Sequence, residues 1–186
     1  MGRNKLISED QILDAAEKVV ARTGPLSLTL ETVAIEAGIG KATVVYDFKN
    51  KKNLIHALVC RTVDRDNKFN QRYIDEISGQ DHSVITGRIS AAQSPFPEEF
   101  RDVALSLSAA LAHDQDLRSI IQDSQKTTIS NVLNTSSTPR KARLAYLALE
   151  GLKLLESLDY HQWEQQERDE ILNDIRELLN SDLIQK

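Results

Sequence analysis

The chain has 186 residues, of which 40% are hydrophobic and 27% are charged, with a net charge of −5, the balance of an ordinary globular protein. Its apolar runs are far shorter than the roughly 18 to 20 residues that cross a bilayer, and acidic residues stand at positions 9, 10, 14 and 17, where a signal peptide would be apolar. The single cysteine, Cys60, excludes an intramolecular disulfide and a cysteine-based zinc site. We therefore expect a cytoplasmic protein with a packed core.

Charge is divided unevenly along the chain. Residues 1–60 hold eight Lys/Arg and seven acids, whereas residues 61–186 hold fifteen and twenty-one. Lysines 41, 49, 51 and 52 fall within twelve positions. Such a cluster is either a solvated surface or the footprint of a nucleic-acid contact, and charge alone does not decide between them.

The first predicted helix has a complete start signal. Ser8 and Gln11 have the spacing of a capping box, and the apolar residues that follow recur at helical spacing as far as Gly24-Pro25. The pattern predicts a helix over about 9–23, because glycine and proline end it.

Two short helices with a glycine turn between them come next. Thr29 can cap the first, which ends at the Gly-Ile-Gly turn of residues 38–40, and the second is predicted over about 41–46. Two glycines around one apolar residue allow the helices to cross steeply, with Ile39 as a buried plug.

The rest of the chain is predicted to be helical, because apolar residues recur at helical spacing and no segment alternates long enough for a strand. The predicted ranges, separated by Ser-, Gly- and Pro-rich breaks, are about 53–77, 82–93, 100–111, 117–133, 139–158 and 163–180. The predicted fold class is all-α, with a three-helix N-terminal head over 1–52 and a larger helical domain over 53–186.

The helix predicted over 139–158 is more apolar than one packing partner requires. Four of its charges, Arg143, Glu150, Lys153 and Glu156, lie within less than half of its circumference, and the last helix carries a narrower apolar stripe. A second subunit that completes a helical bundle would cover both. The predicted homodimer contacts are Leu144, Leu147, Gly151, Leu155, Leu158, Ile171, Ile175 and Leu178.

Two short helices joined by a tight turn and packed on a preceding helix form the helix-turn-helix arrangement. The second helix has to present small or polar residues at its N-terminal end, because these enter a major groove only about 12 Å wide. Lys41, Ala42 and Thr43 meet that requirement and are predicted to contact base edges. The predicted phosphate contacts are Thr29, Tyr46 and Lys51, with helix N-terminal N–H groups beside Lys51.

Residues 12–58 carry a more specific pattern than a generic helix-turn-helix. They contain ILDAAEKV followed by Thr-Gly at 23–24, then LETVAIEAGIGKATV, then the spacing of Tyr46, Phe48, Lys51 and Leu54. This run resembles the DNA-binding domain of the tetracycline-repressor-like (TetR) family of bacterial transcription regulators. The resemblance implies a homodimer with a DNA-binding head and a larger helical domain that binds a ligand and dimerises through its last two helices.

The chain departs from the family pattern at three positions. Gly40 stands where the family usually has serine, so the side-chain cap of the recognition helix is missing. Val45 replaces an aromatic residue and Asp47 replaces a histidine. Because Asp47 would repel phosphate, either it turns inward to Lys49 or Lys51, or the phosphate contact is weaker than usual.

The family's usual logic implies a repressor that a small ligand releases from a palindromic operator. We expect a mainly apolar ligand in a pocket between helices, with Ser106, His113 or Gln125 as polar anchors. The candidate ligand residues are Phe69, Tyr73, Phe100, Val103, Leu107, Ile121, Gln125 and Tyr146.

Other functions find less support. His56, Cys60 and Asp64 share one helix face at a spacing that could hold a metal, but we favour the interpretation that Cys60 is a small buried hydrophobic residue and that His56 packs against the head. No Ser/His/Asp order or glycine-rich phosphate loop has its strand context. We expect no metal, cofactor, membrane or enzymatic activity; the expected partners are double-stranded operator DNA, a small effector and a second copy. The alternative is a protein-interaction module of the same fold that has lost DNA binding.

Overall fold

The computed structural model describes residues 7–24, 27–94, 111 and 114–181. In these ranges the chain forms eight helices and no strand, which confirms the all-α prediction. The helix predicted over 100–111 lies outside the described residues, apart from Leu111. The helices are α1 (Glu9–Thr23), α2 (Leu30–Ala37), α3 (Lys41–Phe48), α4 (Lys51–Glu76), α5 (Ser83–Gln93), α6 (Gln115–Asn134), α7 (Pro139–Ser157) and α8 (Gln165–Asn180).

The chain divides into two compact units. The first consists of residues 1–62 with 98–120, and the second of 63–97 with 121–186. Helices α4 and α6 each contribute residues to both units. The functional boundary at residue 52 stays a prediction, because compactness does not show which residues bind which partner. Among the residues that the structure describes, no helix has the length and hydropathy of a membrane span.

Local capping fixes the starts of the first two helices. Ser8 Oγ accepts from the Gln11 N–H (3.3 Å) while Gln11 Oε1 accepts from the Ser8 N–H (3.0 Å), which confirms the predicted capping box of α1. Thr29 forms a similar box with Thr32 at the start of α2. Each cap of this kind contributes about 1 kcal/mol. Helix α3 begins after Gly40 without a side-chain cap, as predicted.

Gly38 allows the tight turn between α2 and α3. Its φ of 66° and ψ of 34° lie in the left-handed region, where a side chain would be strained. The Ile39 N–H donates to the Ala34 carbonyl at 3.0 Å, so the turn satisfies the end of α2. Ile39, predicted as a buried plug, is half-buried.

Helix α3 runs two residues beyond its predicted end at residue 46. Val44 and Phe48 are 0% and 4% exposed, one helical turn apart, so they anchor the same face of α3 in the core of the first unit. The extra residues are required because the helix has to continue to bring Phe48 onto that face. The completely buried core of this unit includes Ile12, Ala16, Val20, Leu28, Val33, Val44, Leu54 and Leu58.

The core of the second unit is formed by α5, α6, α7 and α8. Helix α5 approaches α4 closely at Gly87, where an added Cβ would lie 2.7–2.8 Å from atoms of Ile74. Trp163, in the segment between α7 and α8, packs on this core without being fully buried. The buried cluster consists of Ile85, Ile89, Val132, Ala142, Ala145, Tyr146, Leu149, Leu152, Leu172, Ile175 and Leu179.

Polar contacts join the segment before α5 to the loop before α7. The His82 N–H donates to the Thr135 carbonyl at 2.8 Å, and the Ser137 N–H donates to Asp81 Oδ1 at 2.7 Å. The Ser137 hydroxyl also donates to Asp81 Oδ2, and Ser136 Oγ contacts His82 Nδ1. These two hydrogen bonds from Ser137 lower the pKa of Asp81, the side-chain one contributing most. We call this set of contacts the Asp81–His82 junction.

Candidate functional site

Helix α3 presents most of its surface to solvent. Only Val44 and Phe48 are buried, and the remaining side chains are exposed. Lys41, Ala42 and Thr43, the predicted base contacts, lie side by side at the exposed N-terminal end of this helix. An exposed, firmly anchored helix end is the arrangement that reading base edges in a major groove needs.

Lys41 is engaged with a neighbouring acid. Its Nζ lies 3.0 Å from Oε2 of Glu31, in the first turn of α2, and both side chains are more than half exposed. An exposed pair of this kind contributes between about 0 and 1 kcal/mol, so a contact with DNA can replace it. Sequence reasoning missed Glu31, because only the crossing of α2 and α3 brings it to Lys41.

The predicted phosphate contacts lie around α3. Thr29 caps α2, Tyr46 is 76% exposed on α3, and Lys51 is the first residue of α4 and is half-buried. Asn50 Oδ1 accepts from the Asn53 N–H at 2.9 Å, so one N–H at the start of α4 is already paired within the chain.

Lys52, a member of the lysine cluster, is paired within the first unit. Its Nζ lies 2.5 Å from Asp116 Oδ2 and 3.5 Å from Asp114 Oδ2. The hydrogen bond to Asp116 is the largest cause of the raised pKa of Lys52. The basic cluster therefore presents less free positive charge than its sequence suggests.

Asp47 does not turn inward. Its side chain is exposed on α3. Lys49 instead donates from Nζ to the Tyr46 carbonyl and lies 4.8 Å from the centroid of the Tyr46 ring.

The second unit contains a cavity of about 540 Å³ among α4, α5 and α6. Nine of its eleven lining residues are polar. The most buried charged one is Arg88, which is 5% exposed and whose Nε has no hydrogen-bond partner. The lining residues are Asn67, Asn70, Gln71, Ile74, Val84, Arg88, Asp123, Ser124, Thr127, Thr128 and Asn131.

The predicted ligand residues lie elsewhere. Phe100, Val103 and Leu107, together with the anchors Ser106 and His113, lie outside the described residues. The other five belong to the second unit but do not line this cavity: they are Phe69, Tyr73, Ile121, Gln125 and Tyr146. Sequence reasoning missed Arg88, because nothing in its local pattern shows that an arginine is buried.

Four of those five make contacts within the second unit. The rings of Phe69 and Tyr73 meet edge to face with centroids 5.6 Å apart, and Tyr73 Oη lies 2.7 Å from Ser94 Oγ. The Tyr146 hydroxyl donates to Gln125 Oε1, and burial is the main cause that raises the pKa of Tyr146 to about 12.

Helix α7 has one buried and one exposed apolar face. The exposed face holds Leu144, Leu147, Leu154 and Leu155, which are 37–58% exposed, together with Gly151. These positions fall on one side of the helix, and such a leucine surface on a single chain marks an interaction site.

The other predicted dimer contacts are more covered. Leu158, Ile171 and Leu178 are half-buried. Ile175 is a correction: it is 4% exposed and belongs to the core of its own chain, because the apolar stripe of α8 packs against that core.

His56 and Cys60, whose spacing with Asp64 raised the alternative of a metal site, lie near each other on α4. His56 Nδ1 lies 3.7 Å from Cys60 Sγ. Within the described ranges, no three His, Cys, Asp or Glu residues are placed to hold a metal ion.

Family models match both parts of the chain. The model for the tetracycline-repressor-like C-terminal domain matches residues 87–180, about half of the chain, and the model for bacterial regulatory proteins of the tetR family matches residues 12–58. The chain belongs to the TetR family. It is therefore a DNA-binding transcription regulator, with a helix-turn-helix domain and a C-terminal domain of the ligand-binding type. The family consists of transcription regulators rather than enzymes.

Solved structures share the fold of this TetR regulator. A TetR-family protein from Rhodococcus sp. is 22% identical, with a TM-score of 0.71 and coverage of 91% of this chain and 97% of that one. A protein from Streptomyces coelicolor A3(2) is 17% identical, with a TM-score of 0.74 and coverage of 92% and 98%. The multidrug binding protein EbrR, complexed with malachite green, is 20% identical, with a TM-score of 0.67 and coverage of 89% and 96%. A comparison with curated proteins gave no match.

Proposed function

We propose that this regulator is a repressor that binds a palindromic operator as a homodimer and leaves it when a small molecule binds the helical domain. The observation that carries the DNA-binding part is the exposed N-terminal end of α3, anchored by Val44 and Phe48. Lys41, Ala42 and Thr43 contact base edges. Thr29, Tyr46 and Lys51 contact phosphates and set the register of α3 on the duplex.

The homodimer forms through the exposed leucine face of α7 and the half-buried residues of α8. A palindromic operator follows from two-fold symmetry, since two recognition helices enter successive major grooves when they lie about 34 to 36 Å apart. The dimer contact therefore sets the spacing on which operator binding depends.

Release by the effector follows if ligand binding changes that spacing. Helix α4 is the natural route, because it begins beside the helix-turn-helix and continues as one helix into the second unit. Coupling between two binding sites is reciprocal, so the effector and the operator weaken each other's affinity by the same factor.

Two substitutions separate the roles of the DNA contacts. Thr43→Val removes a base-edge contact, and we expect it to cost about 1–3 kcal/mol and to relax sequence preference at one operator position. Lys51→Ala removes a phosphate contact, so it should weaken binding to all sequences alike and lower the salt slope by about one unit. Binding of the full chain to an operator and to its single-base variants, measured over a range of salt concentrations, tests both.

Lys126→Ala is the matched control, because Lys126 is an exposed lysine of α6 in the second unit. It should leave both the affinity and the salt slope unchanged. A Lys51→Ala protein that altered sequence preference but kept its salt slope would contradict these roles. A chain that bound no DNA at low salt would instead favour the protein-interaction module.

A further inference from the structure

Lys41 lies at a helix position that does not favour a cation. It is the first residue of α3, and this helix has no acidic residue in its first turn. The helix dipole places partial positive charge at this end, so a lysine there destabilises the helix. The position of Lys41 is therefore better explained by a contact outside α3 than by the stability of α3 itself.

The compensating negative charge comes from the preceding helix. Glu31 lies in the first turn of α2, and its Oε2 is 3.0 Å from Lys41 Nζ. The two side chains are 57% (Lys41) and 65% (Glu31) exposed, so the pair forms at the surface rather than in the core. It therefore holds Lys41 at the same exposed end of α3 that we propose to face DNA.

Neutralisation by a neighbouring acid also occurs elsewhere in the lysine cluster of residues 41–52. Lys52 pairs with Asp114 and Asp116, as described above. Attraction between lysines and phosphate is independent of sequence and grows with the number of charges that DNA binding neutralises. Two of the four lysines in the cluster thus have their charge offset by acids of the same chain.

Lys41 can contact a base without leaving Glu31. Its ammonium group has three N–H donors, and Glu31 accepts one of them. Two donors remain, which is the number that a bidentate lysine contact with O6 and N7 of guanine uses. A phosphate contact instead depends on the net positive charge, which Glu31 offsets. The same carboxylate thus preserves base readout while it weakens binding to the DNA backbone.

We propose that Glu31 is a specificity-determining positioning residue, which holds Lys41 for a guanine in each half-site of the operator and reduces its attraction to phosphate. The inference rests on the proposed contact of Lys41 with base edges, and it deepens that contact by naming the base. Adenine is disfavoured because it presents an amino donor where guanine presents the acceptor O6.

The first experiment identifies the base that Lys41 reads. Duplexes with a random central segment are enriched by binding to the full chain, once with the natural protein and once with Lys41→Ala. We expect the natural protein to enrich a guanine at one symmetric position that the Lys41→Ala protein does not require. Replacing that guanine by adenine in one half-site should weaken binding about 5-fold to 150-fold. Replacing it by 7-deazaguanine, which lacks the N7 acceptor, should also weaken binding.

Glu31→Gln tests the positioning role, because it keeps the size of the side chain but removes its charge. The guanine-to-adenine loss should shrink about twofold to tenfold, since Lys41 is no longer held in place and can turn to a phosphate when guanine is absent. Affinity for a random-sequence duplex should rise by up to about fivefold for each protomer. The salt slope should become steeper by about one for each protomer.

Two further variants show that Glu31 acts through Lys41. In the Lys41→Ala protein, adding Glu31→Gln should leave the base preference unchanged. Glu36→Gln is the matched control: it removes a negative charge from the same helix, but from a pair with Arg22 at 2.9 Å, and it should keep the guanine preference of the natural protein. If Glu31 only stabilised α2, its replacement would lower the free energy of unfolding without changing the base preference or the salt slope.

The inference is overturned if the base that depends on Lys41 is not guanine, or if Glu31→Gln keeps the guanine-to-adenine loss and the salt slope of the natural protein. A protein that enriches a palindrome whose bases do not depend on Lys41 contradicts this inference alone. A protein that enriches no sequence contradicts the proposed repressor, and the inference with it.

Discussion

Lys49, at the junction between α3 and α4, holds a backbone conformation that side chains rarely adopt. Its φ is 63° and its ψ is −48°, and across it the Asn50 N–H donates to the Phe48 carbonyl at 2.6 Å. This is a strained γ-turn, and strain of this kind costs on the order of 1–3 kcal/mol. The burial of Phe48 on one side and the cap that Asn50 provides for α4 on the other fix the two ends of the turn.

We predict that Lys49→Gly is more stable than Lys49→Ala by about 1 kcal/mol, because glycine has no Cβ to strain at a positive φ. Both variants lose the contact of Lys49 with Tyr46, so the comparison isolates the backbone. Urea unfolding followed by circular dichroism at one fixed protein concentration measures the difference. Equal stability of the two variants would show that the turn is unstrained.

At the scale of elements, the Asp81–His82 junction joins the segment before α5 to the loop before α7. Hydrogen bonds from Ser137 hold the pKa of Asp81 below the unfolded value of 3.8. The ionised carboxylate therefore stabilises the folded state above that value, and this contribution is lost as the pH falls through the folded pKa. The junction should loosen in acid before the core does.

We predict that Asp81→Asn lowers the free energy of unfolding at neutral pH and has progressively less effect as the pH falls below 3.8. Urea unfolding at a series of pH values measures the difference between the variant and the natural protein. Asp174→Asn, at an exposed position of α8, is the control and should show no such trend. A constant difference at every pH would rule out the ionised carboxylate as its source.

The helices were predictable to within two residues at each end in the described ranges, because their signals are local. Ser8 and Thr29 are helix-capping residues, so the local sequence around each of them indicates where a helix starts. The use of each apolar face was less predictable: Ile175 and Leu147 both belong to apolar stripes, but one is buried in its own chain and the other is 58% exposed. Hydrophobic periodicity shows that an apolar helix face packs against another surface, but it does not show whether that surface belongs to the same chain or to a partner. The burial of Arg88 and the pairing of Glu31 with Lys41 depend on how helices cross in the fold. Neither could be predicted, because the local sequence around these residues carries no sign of such crossings.

At the scale of the whole molecule, the exposed leucine face of α7 is the surface that most clearly indicates contact with a partner. Its four leucines and Gly151 form a stripe of the kind that pairs with a second copy, since a two-fold axis brings the same surface from each chain together. Dimerisation and operator binding are then linked, because the helix-turn-helix of one chain contacts only one half-site of a palindromic operator.

We predict that Leu147→Glu combined with Leu155→Glu yields a folded monomer in sedimentation, because two charges on this face would be buried at the contact. Operator affinity should fall with it, while binding to an isolated half-site should not. The matched control is Ile129→Glu on α6, since Ile129 and Leu155 are both 37% exposed. A dimer of unchanged mass in the double variant would place the interface elsewhere.

The chain also carries its own optical reporter. Trp163 is its one tryptophan, and it packs on the core cluster between α7 and α8, with the His161 ring 4.2 Å away, centroid to centroid. All tryptophan fluorescence therefore comes from the place where α8 docks on its own chain. A red shift of the emission would therefore report undocking of α8 in the unlabelled protein. The helix-turn-helix has no tryptophan and does not contribute to this signal.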